Sequence, residues 1–384
     1  MNTCTHFSQC GGCKWQDIVY HEQLNRKEAR LKELLSSFNL NVPLKPINHY
    51  KPWFYRNKME YTFQDDEQGN LICGLHRKIH KRKVFALNEC LIFSPDVTHI
   101  VDVLRQFFGT KYRSYNTFIH RGFLRHLIVR ETKFTHQMMI GIVTTSSEQL
   151  DKEGLLEVLL ALKLHSQIKS VYWIINDSKG DAVVFQKKEL IYGDEFITER
   201  LDNLSFRIYI DSFFQTNSFG IVDLYHKIKE YTSLQGKENV LDLYCGVGSI
   251  GLFLAPQCRF VWGVELQKEI VNNAFINAKL NNIDNIVFIA EDVRKFLIHD
   301  DIPAPEVVII NPPRCGLSKK VTQRILSAHP PVIFYSSCNP ETFCSDLKCL
   351  SSQYKIEFIE PFDFFPHTPH MESLARLTRK AIFA

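Results

Sequence analysis

Three closely spaced cysteines near the start of the chain are the first residues with a chemistry of their own. Cys4, Cys10 and Cys13 give the spacing C-x5-C-x2-C. Thiolates this close together can wrap a metal centre, and a fourth ligand must then come from elsewhere, for which Cys73 and Cys90 are the nearest downstream cysteines. Four thiolates suit zinc and an iron–sulfur cluster alike, and unligated thiols are the simpler interpretation.

A separate cysteine, Cys338, stands where the apolar run VIFYSS ends. At the ligand-binding edge of a sheet such a thiol is placed to act as a nucleophile, and we expect its surroundings to lower its pKa. Cys315, right after an Asn-Pro-Pro-Arg segment, is its one serious rival. The other cysteines of this half are interpreted as small buried hydrophobes: Cys245, Cys258, Cys344 and Cys349.

A carboxylate near the C-terminus, Glu372, follows the aromatic segment 365–371, which also holds two prolines and two histidines. Prolines stiffen that segment, so the carboxylate is presented from a rigid stretch of chain. Its type and position admit two interpretations. Glu372 takes up a proton in a reaction, or it is an acid at the start of a helix with no catalytic role.

A glycine-containing loop follows another apolar run and carries the spacing Gly246-x-Gly248-x-x-Gly251. Glycines there let the chain turn sharply and let a ligand approach the backbone. The next apolar run ends in Glu265, whose carboxylate can accept hydrogen bonds from ribose hydroxyls. The same layout serves NAD and S-adenosylmethionine, so this pair leaves the cofactor open.

The segment Asn311-Pro312-Pro313-Arg314 ends a further apolar run. Because prolines fix the backbone and remove hydrogen-bond donors, the asparagine side chain and nearby carbonyls face a defined site. Asn-Pro-Pro after an apolar strand is typical of methyltransferases that use S-adenosylmethionine on nucleic acids or proteins. A dehydrogenase has no need of it.

The order of the predicted elements explains how these residues could meet. From residue 222 onward, apolar runs of strand length alternate with helix-like stretches, which predicts a doubly wound parallel sheet of the α/β class. Residues 55–206 instead hold short β-rich runs, which predict a mostly antiparallel sheet. These runs are MEYTF, LICGLH, KVFALN, HLIVRET, QMMIGIVTT, SVYWIIND and DAVVFQ.

Helices are predicted over residues 17–38, 95–108 and 148–164, the first from apolar residues at helical spacing. We therefore expect two domains, an α+β domain over residues 1–208 and an α/β domain over residues 209–384.

Composition narrows the class of protein further. The chain has 384 residues, 45% hydrophobic and 23% charged, which is too apolar for a disordered protein. Eleven cysteines in so long a chain argue against a disulfide scaffold. No apolar run is long enough to span a membrane and no secretory signal is visible, so we expect a cytoplasmic protein without a membrane partner.

Charge is distributed unevenly within a net charge of +4. Residues 1–130 hold 20 Lys and Arg against 11 Asp and Glu, whereas residues 131–384 hold 26 against 31. The basic run 76–83 carries five Lys and Arg, and residues 103–130 carry six with no acid. Such a surface predicts contact with RNA phosphates, although for any single lysine a solvated hairpin is the better explanation.

Five segments together resemble the RNA uracil-carbon-5 methyltransferases of the TrmA/RumA/RumB family. The match spans nearly the whole chain in order, and its Ser-Ser-Cys-Asn and Phe-Pro-His-Thr motifs are far more specific than the glycine loop. The segments are Phe213–Asn217, Asp242–Gly251, Asn311–Arg314, Ser336–Pro340 and Phe365–Glu372.

The resemblance implies a Rossmann-like methyltransferase domain at the C-terminus and assigns roles within it. Cys338 would be the nucleophile that adds to carbon 6 of uracil, and Glu372 the general base that removes the proton from carbon 5. The target uracil would have to leave its stack to reach the thiol. The S-adenosylmethionine contacts implied are Gln215, Tyr244, Glu265, Asn311, Asp292 at the adenine, and Gly246 of the glycine loop.

Branches of the family differ in the features that indicate their RNA. The resemblance makes Cys90 the fourth ligand of a 4Fe-4S cluster and excludes Cys73. The resemblance is greatest to the RumB (RlmC) branch, which lacks a TRAM domain and methylates one uridine in 23S rRNA. Cys315 departs from that branch, where a second arginine is common, and some relatives without a TRAM domain act on tRNA.

We expect a monomer. Two other classes of function each explain part of the sequence. An iron–sulfur oxidoreductase explains the glycines and the clustered cysteines, but not the Asn-Pro-Pro-Arg and Ser-Ser-Cys-Asn segments. A non-catalytic RNA-binding module explains the charge, but not the pairing of Cys338 with Glu372.

Overall fold

The computed structural model describes residues 3–298 and 304–381. Its N-terminal half is built on a seven-stranded sheet with the order β3-β2-β1-β4-β5-β6-β7. The strands are β1 (Lys58–Asp65), β2 (Leu71–His76), β3 (Val84–Ala86), β4 (Leu124–Glu131), β5 (Gln137–Thr144), β6 (Gln167–Ile175) and β7 (Lys187–Gly193). All neighbours are antiparallel except β5 and β6, which are parallel.

Two helices cover one face of this sheet, α2 (Val97–Gly109) and α3 (Lys152–Leu160). Helix α2 buries Ile100, Leu104 and Phe108 at helical spacing, in one core with the inward side chains of the sheet. Helix α3 lies between the parallel strands in the chain, because a parallel pair needs a long crossover. The predicted helices and the mostly antiparallel sheet are therefore confirmed.

One predicted strand, DAVVFQ at 181–186, is wrong. The last strand of the sheet is the following segment, β7. Side chains occupy the carbonyls just before it, since the Arg125 guanidinium donates to Asn176, Ser178 and Gly180. The side-chain amide of Asn176 in turn donates to the carbonyl of Ala182 at 2.8 Å. These bonds hold the segment as a loop in place of a ladder.

The C-terminal half carries a second seven-stranded sheet, in which five parallel strands are followed by two antiparallel ones. Its strands are β10 (Asn239–Leu243), β11 (Phe260–Glu265), β12 (Ile286–Ala290), β13 (Val307–Ile310), β14 (Val332–Ser337), β15 (Tyr354–Phe362) and β16 (Glu372–Arg379). The order is β12-β11-β10-β13-β14-β16-β15. The predicted parallel strands are confirmed, and the antiparallel pair was not predicted.

Helices connect these strands, and a separate hairpin precedes them. The helices are α4 (Ser218–Thr232), α5 (Ser249–Leu254), α6 (Lys268–Leu280), α7 (Val293–Phe296), α8 (Lys319–Ala328) and α9 (Pro340–Leu350), with a 3-10 turn at Ala255–Gln257. The hairpin pairs β8 (Phe196–Leu201) with β9 (Leu204–Tyr209). No helix in the described residues is both long and apolar enough to cross a membrane.

Helix α1 (Tyr20–Ser37) packs against the C-terminal sheet, although it comes first in the chain. Its Leu31 and Leu35 are buried in the same core as Tyr335 of β14. The chain after it continues this contact, because the amide of Lys45 donates to the carbonyl of Ile359. The division at residue 208 stays a prediction, while these contacts tie the start of the chain to the second sheet.

Candidate functional site

The carboxyl ends of the parallel strands form one row. The register pairs Leu243 with both Val264 and Ile310, and Ile310 with Tyr335. Residues that follow these strands therefore share one edge of the sheet, where ligands of such folds bind. The predicted residues on that edge are Tyr244, Glu265, Asp292, Asn311 and Cys338.

The glycine loop leaves open space at the end of β10. Tyr244 has a positive φ of 61°, which is unusual for a side chain of its size. Gly246 has a φ of 56°, and a Cβ atom added there would meet no heavy atom within 4 Å. Glycine thus permits the turn, and the open side gives a ligand access to the backbone.

A buried carboxylate beneath this loop, Asp242, was not among the predicted site residues. Its Oδ2 accepts a hydrogen bond from the amide of Gly251 at 3.0 Å, while its buried Oδ1 has no hydrogen-bond partner among the residues that the structure describes. Burial and, to a smaller extent, the nearby Glu265 carboxylate raise its pKa to about 7. An unpaired buried oxygen beside an open loop indicates that a polar ligand group binds there. In the sequence, an aspartate near the end of a strand, just before the glycines, was the signal that could have identified this residue.

Asp292 and Gln215 are placed differently from the other predicted cofactor contacts. Asp292 accepts from the backbone and guanidinium of Arg294, and these hydrogen bonds lower its pKa to about 2. Gln215 lies before α4, outside the row of strand ends, and its backbone carbonyl accepts a hydrogen bond from the side-chain amide of Asn57 at 2.6 Å.

The Cys338 thiol lies directly after β14 and is half-buried. Burial, together with the Glu372 carboxylate, raises its pKa to about 11, although Arg314 acts in the opposite direction. The expectation of a lowered pKa is therefore wrong. Desolvation of the thiolate outweighs the single nearby cation.

Glu372 begins strand β16 and not a helix, so the interpretation as a helix-start acid is wrong. Its side chain is only 1% exposed. The Ser336 hydroxyl donates to Oε1, whereas Oε2 is buried and has no hydrogen-bond partner within the described part of the chain. Burial raises the pKa of this carboxyl to about 7.

The Asn-Pro-Pro-Arg segment is fastened to the segment that carries Cys338. The side-chain amide of Asn339 donates to the carbonyl of Arg314 at 3.0 Å. The guanidinium of Arg314 lies 3.3 Å from Nδ1 of His370. Cys315 is exposed. Of the thiols interpreted as buried, Cys349 is in fact exposed, because it lies on the outer face of α9.

Four thiols from distant parts of the sequence line one cavity: Cys4, Cys10, Cys13 and Cys90. Most other lining side chains are apolar, among them Phe7, Met59 and Phe85. Burial raises the pKa of Cys13 to about 12 and that of Cys90 to about 11. Cys73 is instead fully buried in β2, within the core of the first sheet.

These thiols surround a space and do not converge on one point. Within residues 3–298 and 304–381, no three Cys, His, Asp or Glu side chains are arranged to hold a metal ion. The set of donors is entirely sulfur, which is the ligation that iron–sulfur clusters use.

The basic run lies on the turn between β2 and β3, and residues 78–83 of it are exposed. Residues 4–13, which we call the cysteine loop, lie against this turn, because the backbone amide of Lys78 donates to the carbonyl of Gln9 at 2.7 Å. The basic run and the clustered cysteines are thus neighbours in space.

The doubly wound sheet, with an open glycine loop at the carboxyl ends of its strands, defines a Rossmann-like fold of the kind that binds nucleotide-type cofactors. A thiol and a buried carboxylate lie on the same edge of that sheet.

Comparisons with known proteins identify the family. Residues 19–380 match the family model described as tRNA (Uracil-5-)-methyltransferase. An uncharacterized RNA methyltransferase of Clostridium tetani is 37% identical over 382 residues, which cover 98% of this chain and 84% of the relative. An uncharacterized RNA methyltransferase of Bacteroides thetaiotaomicron is 34% identical, with coverages of 97% and 87%.

A solved structure agrees with these relatives. The Pyrococcus abyssi tRNA (uracil-54, C5)-methyltransferase, in complex with S-adenosyl-L-homocysteine, superposes with a TM-score of 0.79 at 32% identity. The similarity covers 94% of this chain and 84% of that one. The protein therefore belongs to the RNA uracil-5 methyltransferase family.

Proposed function

We propose that this protein methylates carbon 5 of a uridine in RNA through a covalent bond to Cys338. The observation that carries the proposal is the pairing of this thiol with Glu372. Strands β14 and β16 pair Ser337 with Ser373, so Cys338 and Glu372 come next in the antiparallel register. The effect of the carboxylate on the thiol pKa supports their proximity.

The proposed reaction uses both groups in turn, because carbon 5 of uracil is a poor nucleophile. The Cys338 thiolate forms a bond to carbon 6, which makes carbon 5 an enolate carbon able to take a methyl group. S-adenosylmethionine supplies that methyl group from its sulfonium sulfur. Glu372 then removes the proton from carbon 5, and the electron pair left behind expels the Cys338 thiolate from carbon 6.

The pKa values of Glu372 and Cys338 suit their proposed roles to different degrees. A pKa of about 7 leaves Glu372 ready to accept a proton near neutral pH. A pKa of about 11 keeps Cys338 mainly protonated there, so the thiolate has to form when the substrate is in place. Arg314 is the nearby cation that favours the thiolate.

We assign the S-adenosylmethionine site to the glycine loop and the neighbouring strand ends. The open side of Gly246 and the unpaired Oδ1 of Asp242 fit a polar ligand close to the backbone. Further contacts are assigned to residues at or near this edge: Gln215, Tyr244, Glu265, Asp292 and Asn311. The Pyrococcus abyssi relative, with S-adenosyl-L-homocysteine bound, supports this cofactor.

The proposed RNA is 23S rRNA, on the resemblance to the RumB branch. The exposed basic turn at residues 78–83 would contact phosphates. tRNA is the second candidate, since the Pyrococcus abyssi relative is a tRNA methyltransferase.

We propose that Cys4, Cys10, Cys13 and Cys90 hold a 4Fe-4S cluster in the cavity that they line. The all-sulfur donor set and the apolar walls fit such a group. Methyl transfer requires no electron, so its role here would be to hold the cysteine loop against the basic turn. Anaerobic purification should give a brown protein with about four irons per chain. A colourless protein that binds zinc would contradict the cluster.

Mass mapping of 5-methyluridine tests the function and the choice of RNA together. We expect one uridine of 23S rRNA to lose its methyl group when the gene is deleted. The methyl group should return with the wild-type protein and not with Cys338→Ala. Loss at a tRNA position would establish the second candidate, and unchanged 5-methyluridine in both RNAs would contradict the proposed activity.

A further inference from the structure

The segment that presents Glu372 is fixed by side chains from the other end of the chain. Residues 363–371, which we call the Glu372 loop, connect β15 to β16, and the register pairs Phe362 directly with Glu372. Within it His367 has a positive φ of 63°. Such a backbone is costly for histidine and persists only when neighbouring contacts hold it.

A buried ion pair joins helix α1 to the beginning of the Glu372 loop. The Lys27 ammonium lies 2.5 Å from Oδ1 of Asp363, and neither side chain is exposed to solvent. The Tyr20 hydroxyl donates to the other oxygen of Asp363 at 2.8 Å. Lys27 also donates to the carbonyl of Phe365 at 3.1 Å. Breaking one partner of such a pair would leave an uncompensated buried charge.

A second side chain of α1 fastens the middle of the Glu372 loop. Oε1 of Gln23 accepts from the His367 amide at 2.9 Å, and Nε2 of Gln23 lies 3.2 Å from Nδ1 of the same residue. Nε2 also donates to the carbonyls of Trp15 and Ile18. Gln23 is fully buried, so water cannot replace these bonds.

The end of the cysteine loop reaches the same residue. The amides of Lys14 and Trp15, just after Cys13, both donate to the carbonyl of His367. The Trp53 ring stacks on the His367 imidazole with a centroid distance of 3.9 Å. Backbone and side-chain contacts therefore hold His367 from three segments of the N-terminal part.

We propose that Gln23 and Lys27 are positioning residues for Glu372, acting through the Glu372 loop. This inference rests on the proposed function and assigns neither residue a contact with substrate. While the loop is fixed, water is excluded from Glu372, and its carboxylate stays oriented towards the proton on carbon 5. A loosened loop admits water, which lowers the pKa of Glu372 towards its ordinary value and misplaces the base.

The test separates two rates in the full-length protein, the formation of the covalent Cys338–RNA adduct and its resolution to methylated RNA. The main variant is Gln23→Met, which keeps length and loses every polar contact. We expect resolution to slow about 10- to 100-fold, with adduct formation and the KM for RNA within about twofold of wild type. The pH at which resolution is half-maximal should fall below 7.

A second variant and a control keep the inference falsifiable. Lys27→Met with Asp363→Asn removes both buried charges together and should give the same selective defect, including when Gln23→Met does not fold. Arg26→Ala alters the exposed side of the same helix and should leave both rates unchanged. Equal slowing of both rates, or an unmoved pH midpoint, would overturn the inference. Failure of the wild-type protein to form any adduct would contradict the proposed function itself.

Discussion

We assign roles to thiols in two regions of the molecule, the cavity that the four clustered thiols line and the end of β14 that carries Cys338. In the cysteine cavity the walls are mostly apolar and the thiols raise one another's pKa, with a carboxylate, Glu89, and a guanidinium, Arg56, also nearby. At the sheet edge, Cys338 has a buried carboxylate and the Arg314 guanidinium nearby. Burial raises the pKa in both regions. A thiol's burial therefore does not reveal its role. The two regions differ in that other thiols line the cavity, whereas Cys338 has beside it a buried carboxylate whose pKa of about 7 allows it to take up a proton near neutral pH.

The largest effect should come from Cys338→Ala. Loss of the nucleophile should reduce methyl transfer to RNA by at least about 10,000-fold, because carbon 5 is then not activated by addition at carbon 6. Transfer of tritium from labelled S-adenosylmethionine measures this. Cys315→Ala removes the exposed rival thiol and should keep wild-type activity. Full activity of Cys338→Ala, with loss of activity in Cys315→Ala, would reverse the assignment.

Glu372→Gln should reduce turnover by about 100-fold or more, since the general base is lost while the thiol can still add to the ring. It should also stabilise the protein. The folded pKa of about 7 lies above the ordinary 4.5, so the ionised carboxylate destabilises the fold above that range.

Urea unfolding at two pH values checks this second effect. At pH 8 the free energy of unfolding of Glu372→Gln should exceed that of wild type by up to about 3 kcal/mol, and near pH 4 the difference should vanish. An equal or lower stability at pH 8 would contradict the burial of an unpaired oxygen at this position.

The two steps of the reaction should respond differently to pH. Adduct formation should rise about tenfold per pH unit from about pH 7 towards 10, because the Cys338 thiol ionises near 11. Adduct resolution should rise to a plateau above 7, where Glu372 is ionised. Single-turnover kinetics across this range measure both. A flat profile for adduct formation would show that the substrate-bound thiol ionises well below 11.

Arg314→Ala tests the guanidinium beside Cys338, which lowers the pKa of that thiol. Its loss should raise the pKa of Cys338 further and slow adduct formation at pH 8 by about 3- to 10-fold. Thiol alkylation against pH measures the shift. Lys320→Ala, an exposed change on α8, is the matched control. An unchanged alkylation profile would contradict the role of Arg314 in lowering the pKa of Cys338.

Cys90→Ser should have the smallest effect on the chemistry. It removes one proposed cluster ligand, so bound iron should be lost and the Tm should fall by about 5 °C or more. The rate of adduct formation per folded molecule should change by less than about tenfold. Iron analysis and single-turnover assays check this. A loss as complete as that of Cys338→Ala would mean that the cysteine cavity takes part directly in the reaction.

Much of this arrangement could be predicted from sequence, and the misses have physical causes. The parallel strands and the residues at their ends follow from local patterns, as with Asn311 after β13. The antiparallel β15 and β16 and the burial of Glu372 depend on contacts between distant segments. Likewise, no local pattern could pair Lys27 with Asp363. The pKa of Cys338 was mispredicted because desolvation is a property of the packed site.

The most direct test of the central claim is peptide mapping of the adduct. Glu372→Gln is incubated with S-adenosylmethionine and the RNA, digested with nuclease and protease, and analysed by mass spectrometry. We expect a peptide in which Cys338 carries a 5-methyluridine nucleotide, and no such peptide from a variant that also carries Cys338→Ala. A nucleotide attached to Cys315 or to any other residue, or methylated RNA formed without an adduct, would contradict the account.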